Sequence, residues 1–113
     1  MQTQTKNWND LPNLTDVHEL TSKDDSCINE LQSVLEKYGL TSKFGVALLH
    51  KHFTIEDDEV LLEKNDPIKK TLTSRPIKTS KVKNDGYATT VWRFDDGNRY
   101  GCSYCRKDHC DTD

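Results

Sequence analysis

Histidines and cysteines are the residues of this sequence whose types and spacing suggest chemistry. His50 and His52 are separated by one residue in the apolar run Leu48–Thr54, and Cys102 and Cys105 are separated by two. Alternate residues of a strand share one face, so the two imidazoles could converge on one ion. Zinc takes three or four nitrogen or sulfur ligands, and Cys-x2-Cys is a common spacing for a zinc-binding turn. The pattern therefore predicts a zinc site of His50, His52, Cys102 and Cys105.

The cysteine-rich tail offers other ligands and other chemistry. His109 or Cys110 is an alternate third ligand beside Cys102 and Cys105, with the fourth position taken by the histidine run or by water. A closed four-ligand site is structural, whereas an open position that holds water is hydrolytic. Two further interpretations stay open. The cysteines form a redox dithiol or disulfide, or the histidines are only hydrogen-bonded and the tail is a reduced end.

A different function starts from the same histidines. His52-Phe53-Thr54-Ile55 matches the His-x-Thr-hydrophobic element of two-histidine phosphoesterases, in which histidine moves the proton and threonine binds phosphate. That chemistry needs two such elements, and neither His18 nor His109 begins a second one. The alternative function is therefore a small metal- or histidine-dependent hydrolase or phosphoesterase that uses His50, His52 and Thr54.

A basic segment lies in the second half of the chain. Residues 68–83 contain no acidic residue and six cations, which are Lys69, Lys70, Arg75, Lys78, Lys81 and Lys83. This segment is the predicted contact surface for an unknown protein or acidic ligand. The acidic run Glu56–Glu59 precedes it, so the alternative is that the two segments neutralise each other or are solvated faces.

Composition limits the fold and the compartment. A chain of 113 residues fits one domain. The net charge of -3 disfavours nucleic-acid binding, the mean hydropathy is -0.87, and no apolar run approaches the length of a membrane span. The first residues lack the apolar stretch of a secretory signal. We therefore expect a soluble cytoplasmic protein whose thiols are free or metal-bound.

Hydrophobic periodicity predicts one clear helix, with a short one before it behind Asn13 or Thr15. Ser26 is a candidate N-cap of the clear helix, and Gly39 stands where a left-handed residue ends a helix. The apolar residues of its face are Ile28, Leu31, Val34, Leu35 and Tyr38.

Strand patterns follow the helix. Phe44–Ile55 is rich in apolar and aromatic residues and predicts a strand, with Val60–Leu62 as the return strand. Arg75-Pro76 predicts an edge strand or an interrupted one, and Tyr87–Phe94 predicts a further strand. Asp96-Gly97 predicts a type I′ hairpin, because both of its central residues tolerate positive φ. That turn sets Phe94 opposite Arg99, Arg93 opposite Tyr100 and Val91 opposite Cys102.

These elements predict an α+β fold in which an N-terminal helix packs on a small, mostly antiparallel sheet of about four or five strands. The expected organisation is a flexible arm over residues 1–12, a single domain over 13–110 and a short end over 111–113. The expected function is a binding or interaction module with a structural zinc site and no enzymatic activity.

Several segments are distinctive when taken together. They are Leu48-Leu49-His50-Lys51-His52-Phe53, Arg75-Pro76, Trp92-Arg93-Phe94 and the Cys/His-rich tail. In these the chain resembles an uncharacterised group of small proteins that share a Leu-Leu-His-basic-His-Phe element. The resemblance spans about Leu35 to Cys110 and implies that the segments belong to one unit. It implies no activity.

Overall fold

The computed structural model describes residues 4–83 and 86–107. The chain divides into two compact units. The sheet unit contains residues 4–10 and the described residues from 53 onward, and the helix unit contains residues 11–52. The predicted boundaries of arm, single domain and C-terminal end stay predictions.

The helix unit is built around α1 (Ser22–Tyr38). Thr21 and Asp24 form a reciprocal capping box, in which the Thr21 Oγ1 accepts from the Asp24 N–H and the Asp24 carboxylate accepts from the Thr21 N–H. Gly39 ends the helix with φ 69°, as predicted. The predicted start at Ser26 is wrong, because the capping box lies one turn earlier.

No other helix in this unit approaches the length of α1. Leu14–Asp16 is a single 3-10 turn rather than the short helix predicted there. Within residues 11–52 no side chain is buried. The predicted packing of the helix on the sheet stays a prediction. No helix in the described part of the chain combines the length and the apolarity needed to cross a membrane.

The strand predicted over Phe44–Ile55 is wrong. Residues 44–50 have no regular secondary structure, and Lys51 makes only an isolated bridge to Asn13, supported by a Lys51 N–H bond to the Pro12 carbonyl (2.8 Å). The composition of this run favours a strand, but a strand also needs a neighbour to accept and donate its backbone hydrogen bonds. Because there is no strand here, the alternation of side chains between two faces of a sheet does not determine the positions of His50 and His52.

The sheet unit contains five strands and one short helix. They are β1 (Gln4–Thr5), β2 (Glu59–Asp66), β3 (Thr71–Lys78), α2 (Thr79–Val82), β4 (Tyr87–Asp95) and β5 (Asn98–Arg106). Strands β2 and β3 form one antiparallel hairpin, and β4 and β5 form another. Asp96 and Gly97 have φ 50° and 75°, which confirms the predicted type I′ turn.

Strand β5 joins the two hairpins into one sheet. β4 covers its whole length, from Tyr87 opposite Arg106 to Asp95 opposite Asn98. β1 and β2 both run parallel to β5. A strand has two edges, so β1 and β2 share the edge that β4 leaves open. The sheet is therefore mixed, and the prediction of a mostly antiparallel sheet is wrong, because turn signals set strand direction only within each hairpin.

The core of the sheet unit is formed by side chains from both hairpins and from α2. Val60, Val82 and Tyr104 are buried together, with Ile77 and Tyr87 half-buried against them. The helical turn α2 thus supplies one of the three central side chains. The Tyr104 ring also covers Gly101, where an added Cβ would collide with the phenol.

Residues 4–10, which belong to the predicted arm, lie along β5. Trp8 is buried and its indole Nε1 donates to the Cys102 carbonyl (2.7 Å). Asn9 replaces a strand partner for Ile55, since its Nδ2 donates to the Ile55 carbonyl (2.6 Å) and its Oδ1 accepts from the Ile55 N–H (2.9 Å). Trp8 therefore anchors this segment to the sheet.

Candidate functional site

The cations predicted to contact a partner lie in β3 and in the segments directly before and after it, and this set is here called the basic edge. The turn between β2 and β3 carries Lys69 and Lys70, β3 carries Arg75 and Lys78, and Lys81 and Lys83 follow in α2 and just after it. All six are exposed. Among the strands that the structure describes, β3 pairs only with β2, so the edge strand predicted from Arg75-Pro76 is confirmed.

The turn that presents the first two cations is fixed by Asp66. Its Oδ1 accepts from the backbone N–H groups of Ile68 (3.1 Å) and Lys69 (3.0 Å). This Asx-type turn begins at Asp66, the last residue of β2, and Lys70 at its end takes a left-handed conformation with φ 58°. The turn leaves Ile68 almost wholly exposed, at 91%.

Lys78 is the cation of the basic edge whose charge is neutralised by the acidic run Glu56–Glu59. Its Nζ donates to both carboxylate oxygens of Asp58, at 3.0 and 3.1 Å. The hydrogen bond to Asp58 raises the pKa of Lys78. The alternative that the basic and acidic segments neutralise each other is therefore correct for the pair of Lys78 and Asp58.

Four other cations of the basic edge make no ion pair within residues 4–83 and 86–107. They are Lys69, Lys70, Arg75 and Lys81. No acidic residue interrupts them in sequence. The edge therefore has a positive field that can attract carboxylates.

His50 and His52 lie side by side without a strand. Their ring centroids are 4.6 Å apart with the planes at 69°, and the His50 Nδ1 is 2.8 Å from the Leu48 carbonyl. A hydrogen bond to that carbonyl puts the proton of a neutral His50 on Nδ1. The alternative function as a hydrolase that uses these residues with Thr54 stays a prediction.

Cys102 lies at an irregularity of β5 rather than in a metal-binding turn. Gly101 pairs with Trp92 and Ser103 pairs with Val91, so Cys102 is an extra residue, and the predicted pairing of Val91 with Cys102 is wrong. The thiol is fully buried and lies 3.5 Å from the Val91 carbonyl. Burial raises its pKa to about 12.

Cys105 is disulfide-bonded and buried, whereas Cys27 and Cys102 are free thiols. The expectation that every thiol is free or metal-bound is therefore wrong for Cys105, and a disulfide sulfur supplies no thiolate to zinc. The alternate ligands His109 and Cys110 lie outside the described residues. In the rest of the chain no group of three or more His, Cys, Asp or Glu side chains is arranged to hold a metal. The zinc site stays a prediction.

The buried arginine of β4 was not among the residues that the sequence indicated. Arg93 is 8% exposed, and its Nη1 donates to the Asn7 carbonyl (2.9 Å) as well as to Asp10 (2.8 Å). The available signal was an arginine inside the apolar run Tyr87–Phe94, because a charge in a half-buried strand needs a partner. Nothing in the local pattern identified Asp10 as that partner.

No protein-family model, curated protein or solved structure matches this chain significantly. The function is therefore inferred from the geometry.

Proposed function

We propose that this protein is a non-catalytic binding module that holds an acidic partner on its basic edge. One observation carries the proposal. The edge strand β3 and the segments directly before and after it bear six exposed cations with no acidic residue among them, and Lys78 is paired with the acidic run through Asp58. Several like charges on one edge attract an oppositely charged partner more strongly than scattered ones do.

The partner we propose is a protein segment rather than a nucleic acid. Residues 67–83 contain no aromatic side chain on which a base could stack. The whole chain carries a net charge of -3, which opposes long polyanions more than it opposes a short acidic segment.

The proposal is tested with a labelled synthetic peptide of alternating glutamate and threonine, whose binding is followed by fluorescence anisotropy. The variant Lys69→Gln/Lys70→Gln/Arg75→Gln/Lys81→Gln should bind at least about fourfold more weakly, because each of four exposed charge pairs contributes about 0.2–1 kcal/mol. Added salt should weaken binding of the unmodified protein.

A matched control changes the net charge equally at other sites. The variant Lys23→Gln/Lys43→Gln/Arg99→Gln/Lys107→Gln removes four cations outside the basic edge. It should bind the peptide nearly as well as the unmodified protein does. Equal weakening in both variants, or no binding of the peptide by the unmodified protein, would overturn the proposal.

A further inference from the structure

The open side of β3 has a defined set of unpaired backbone groups. The Thr79 N–H donates to the Asp58 carbonyl at 2.8 Å, so residues 58 and 79 face each other as a hydrogen-bonded pair. In an antiparallel ladder, hydrogen-bonded and non-hydrogen-bonded pairs alternate. The residues that bond to β2 are therefore Ile77, Arg75, Thr73 and Thr71, whereas Lys78, Pro76, Ser74 and Leu72 direct their backbone groups away from β2.

Pro76 agrees with this alternation and limits the open edge. Proline has no N–H to donate, so it fits where the backbone nitrogen faces outward, and it blocks pairing there. The charge of Lys78 also disfavours the pairing of another strand at this end of β3. The preceding residues, Thr71–Ser74, carry neither proline nor charge.

Residues 71–74 are thus an exposed, β-favouring stretch with its pairing groups available. Thr71 to Ser74 are all exposed, and threonine is favoured in strands. Within the described residues, the N–H and C=O groups of Leu72 and Ser74 have no hydrogen-bond partner. These four groups suit the addition of a strand.

The charges beside this stretch select its occupant. Lys69 and Lys70 precede it and Arg75 follows it. If two copies of this chain paired antiparallel through β3, Arg75 of one would approach Thr71 and Lys70 of the other, and like charges would repel. A segment with carboxylates would instead be attracted at both ends.

We infer that an acidic, extended peptide segment adds to the sheet as a further strand along Thr71–Ser74, with carboxylates against Lys69, Lys70 and Arg75. This inference rests on the proposed function and specifies how its partner binds. Backbone hydrogen bonds to Leu72 and Ser74 position the segment, and the flanking cations select its charge.

The first test uses the glutamate–threonine peptide with N-methyl groups on alternate residues, which leaves every side chain unchanged. A strand presents alternate N–H groups to one neighbour, so the two possible methylation sets should differ. One set should weaken binding at least about tenfold, since it removes the facing donors, while the other should bind as the parent peptide does. Equal binding of both sets and the parent would overturn strand addition.

The second test changes the protein. Ser74→Pro removes an outward N–H and no ladder bond to β2, as Pro76 does two residues later, and should weaken peptide binding at least about tenfold. The control Thr90→Ala changes an exposed residue of β4 and should leave binding unchanged. If Ser74→Pro does not fold, the methylated peptides still decide the question with the unmodified protein.

The outcomes separate this inference from the proposed function. Binding that depends on the basic-edge lysines but ignores N-methylation and Ser74→Pro would overturn strand addition and leave the acidic contact surface standing. Loss of charge dependence would overturn both. Tighter binding of a short single-stranded oligonucleotide than of the peptide would overturn the choice of a peptide partner.

Discussion

The guanidinium of Arg93 holds the carboxylate of Asp10 through two hydrogen bonds, Nη1 to Oδ1 at 2.8 Å and Nη2 to Oδ2 at 3.2 Å. Such a two-point contact fixes both groups in one plane. It ties the segment that carries Trp8 to β4, although 83 positions separate the two residues in sequence. The pair therefore fastens residues 4–10 to the sheet.

Loss of this pair should destabilise the sheet unit in a pH-dependent way. Asp10→Asn should lower the free energy of unfolding by about 1 kcal/mol at neutral pH, a modest value because the Asp10 side chain is 52% exposed. The hydrogen bond from Arg93 lowers the pKa of Asp10 below its ordinary value. The stabilisation is thus complete above the ordinary carboxyl pKa and disappears as the pH falls through the lowered one.

Urea unfolding measured at several pH values, followed by tryptophan fluorescence, checks this prediction. Both tryptophans belong to the sheet unit, so the signal reports on that unit. Asp57→Asn, an exposed carboxyl of the same unit, is the control and should change stability little. A deficit of Asp10→Asn that stays constant down to acidic pH would contradict the prediction.

Thiol counting should distinguish the cysteines by their environments. The chain has four cysteines, of which Cys27 and Cys102 are free thiols and Cys105 is disulfide-bonded. In the folded protein Cys27 should react quickly, whereas Cys102 should not, because it is buried and its pKa is raised to about 12. Unfolding without reductant should reveal both thiols, and reduction should reveal all four cysteines.

Labelling with a maleimide and measurement of intact mass checks these counts. Cys27→Ser is the control, since it should abolish labelling of the folded protein. Rapid labelling at Cys102 before unfolding would contradict the buried position of this residue.

Glycine at position 101 should be required for packing. Gly101→Ala should lower the free energy of unfolding by about 1–3 kcal/mol, because the new methyl group would push the buried Tyr104 ring out of place. Gly86→Ala is the matched control, since an added Cβ there meets nothing within 4 Å. Similar stability of the two variants would contradict this role of Gly101.

The zinc hypothesis predicts that metal uptake depends on the redox state. With Cys105 in a disulfide, zinc should not bind to the four predicted ligands, and reduction should restore the missing thiolate. Elemental analysis of reduced protein should then give one zinc per chain, and His52→Ala and Cys105→Ser should each lose it. Metal-free reduced protein with an unchanged melting temperature in both variants would end the hypothesis.

Local signals predicted the elements of this protein better than they predicted the associations between them. Gly39 and Asp96-Gly97 were predicted correctly, because a left-handed residue and a two-residue turn are encoded by adjacent residues. The edge position of β3 followed from Pro76 alone. The parallel pairing of β2 with β5 was missed, since no adjacent residues encode it.

The same contrast between features encoded by adjacent residues and features that depend on distant ones holds for the candidate site. The cations of the basic edge could be read from the sequence, but the outward orientation of Leu72 and Ser74 depends on the register with β2. The strand predicted around His50 is wrong, because its apolar composition favoured a strand that has no neighbour to pair with. The position of Cys102 could not be predicted, because a bulge shifts the register of β5.

The way that β5 joins the two hairpins also determines the order of folding. Each hairpin closes over a short loop and should form within about 1–10 μs. The pairing of Leu61 with Ser103 must instead close the chain over the segment that contains β3, α2 and β4, which costs more chain entropy. Joining the hairpins should therefore limit the folding rate, and residues 4–10 can complete their docking only after β4 and β5 have come together.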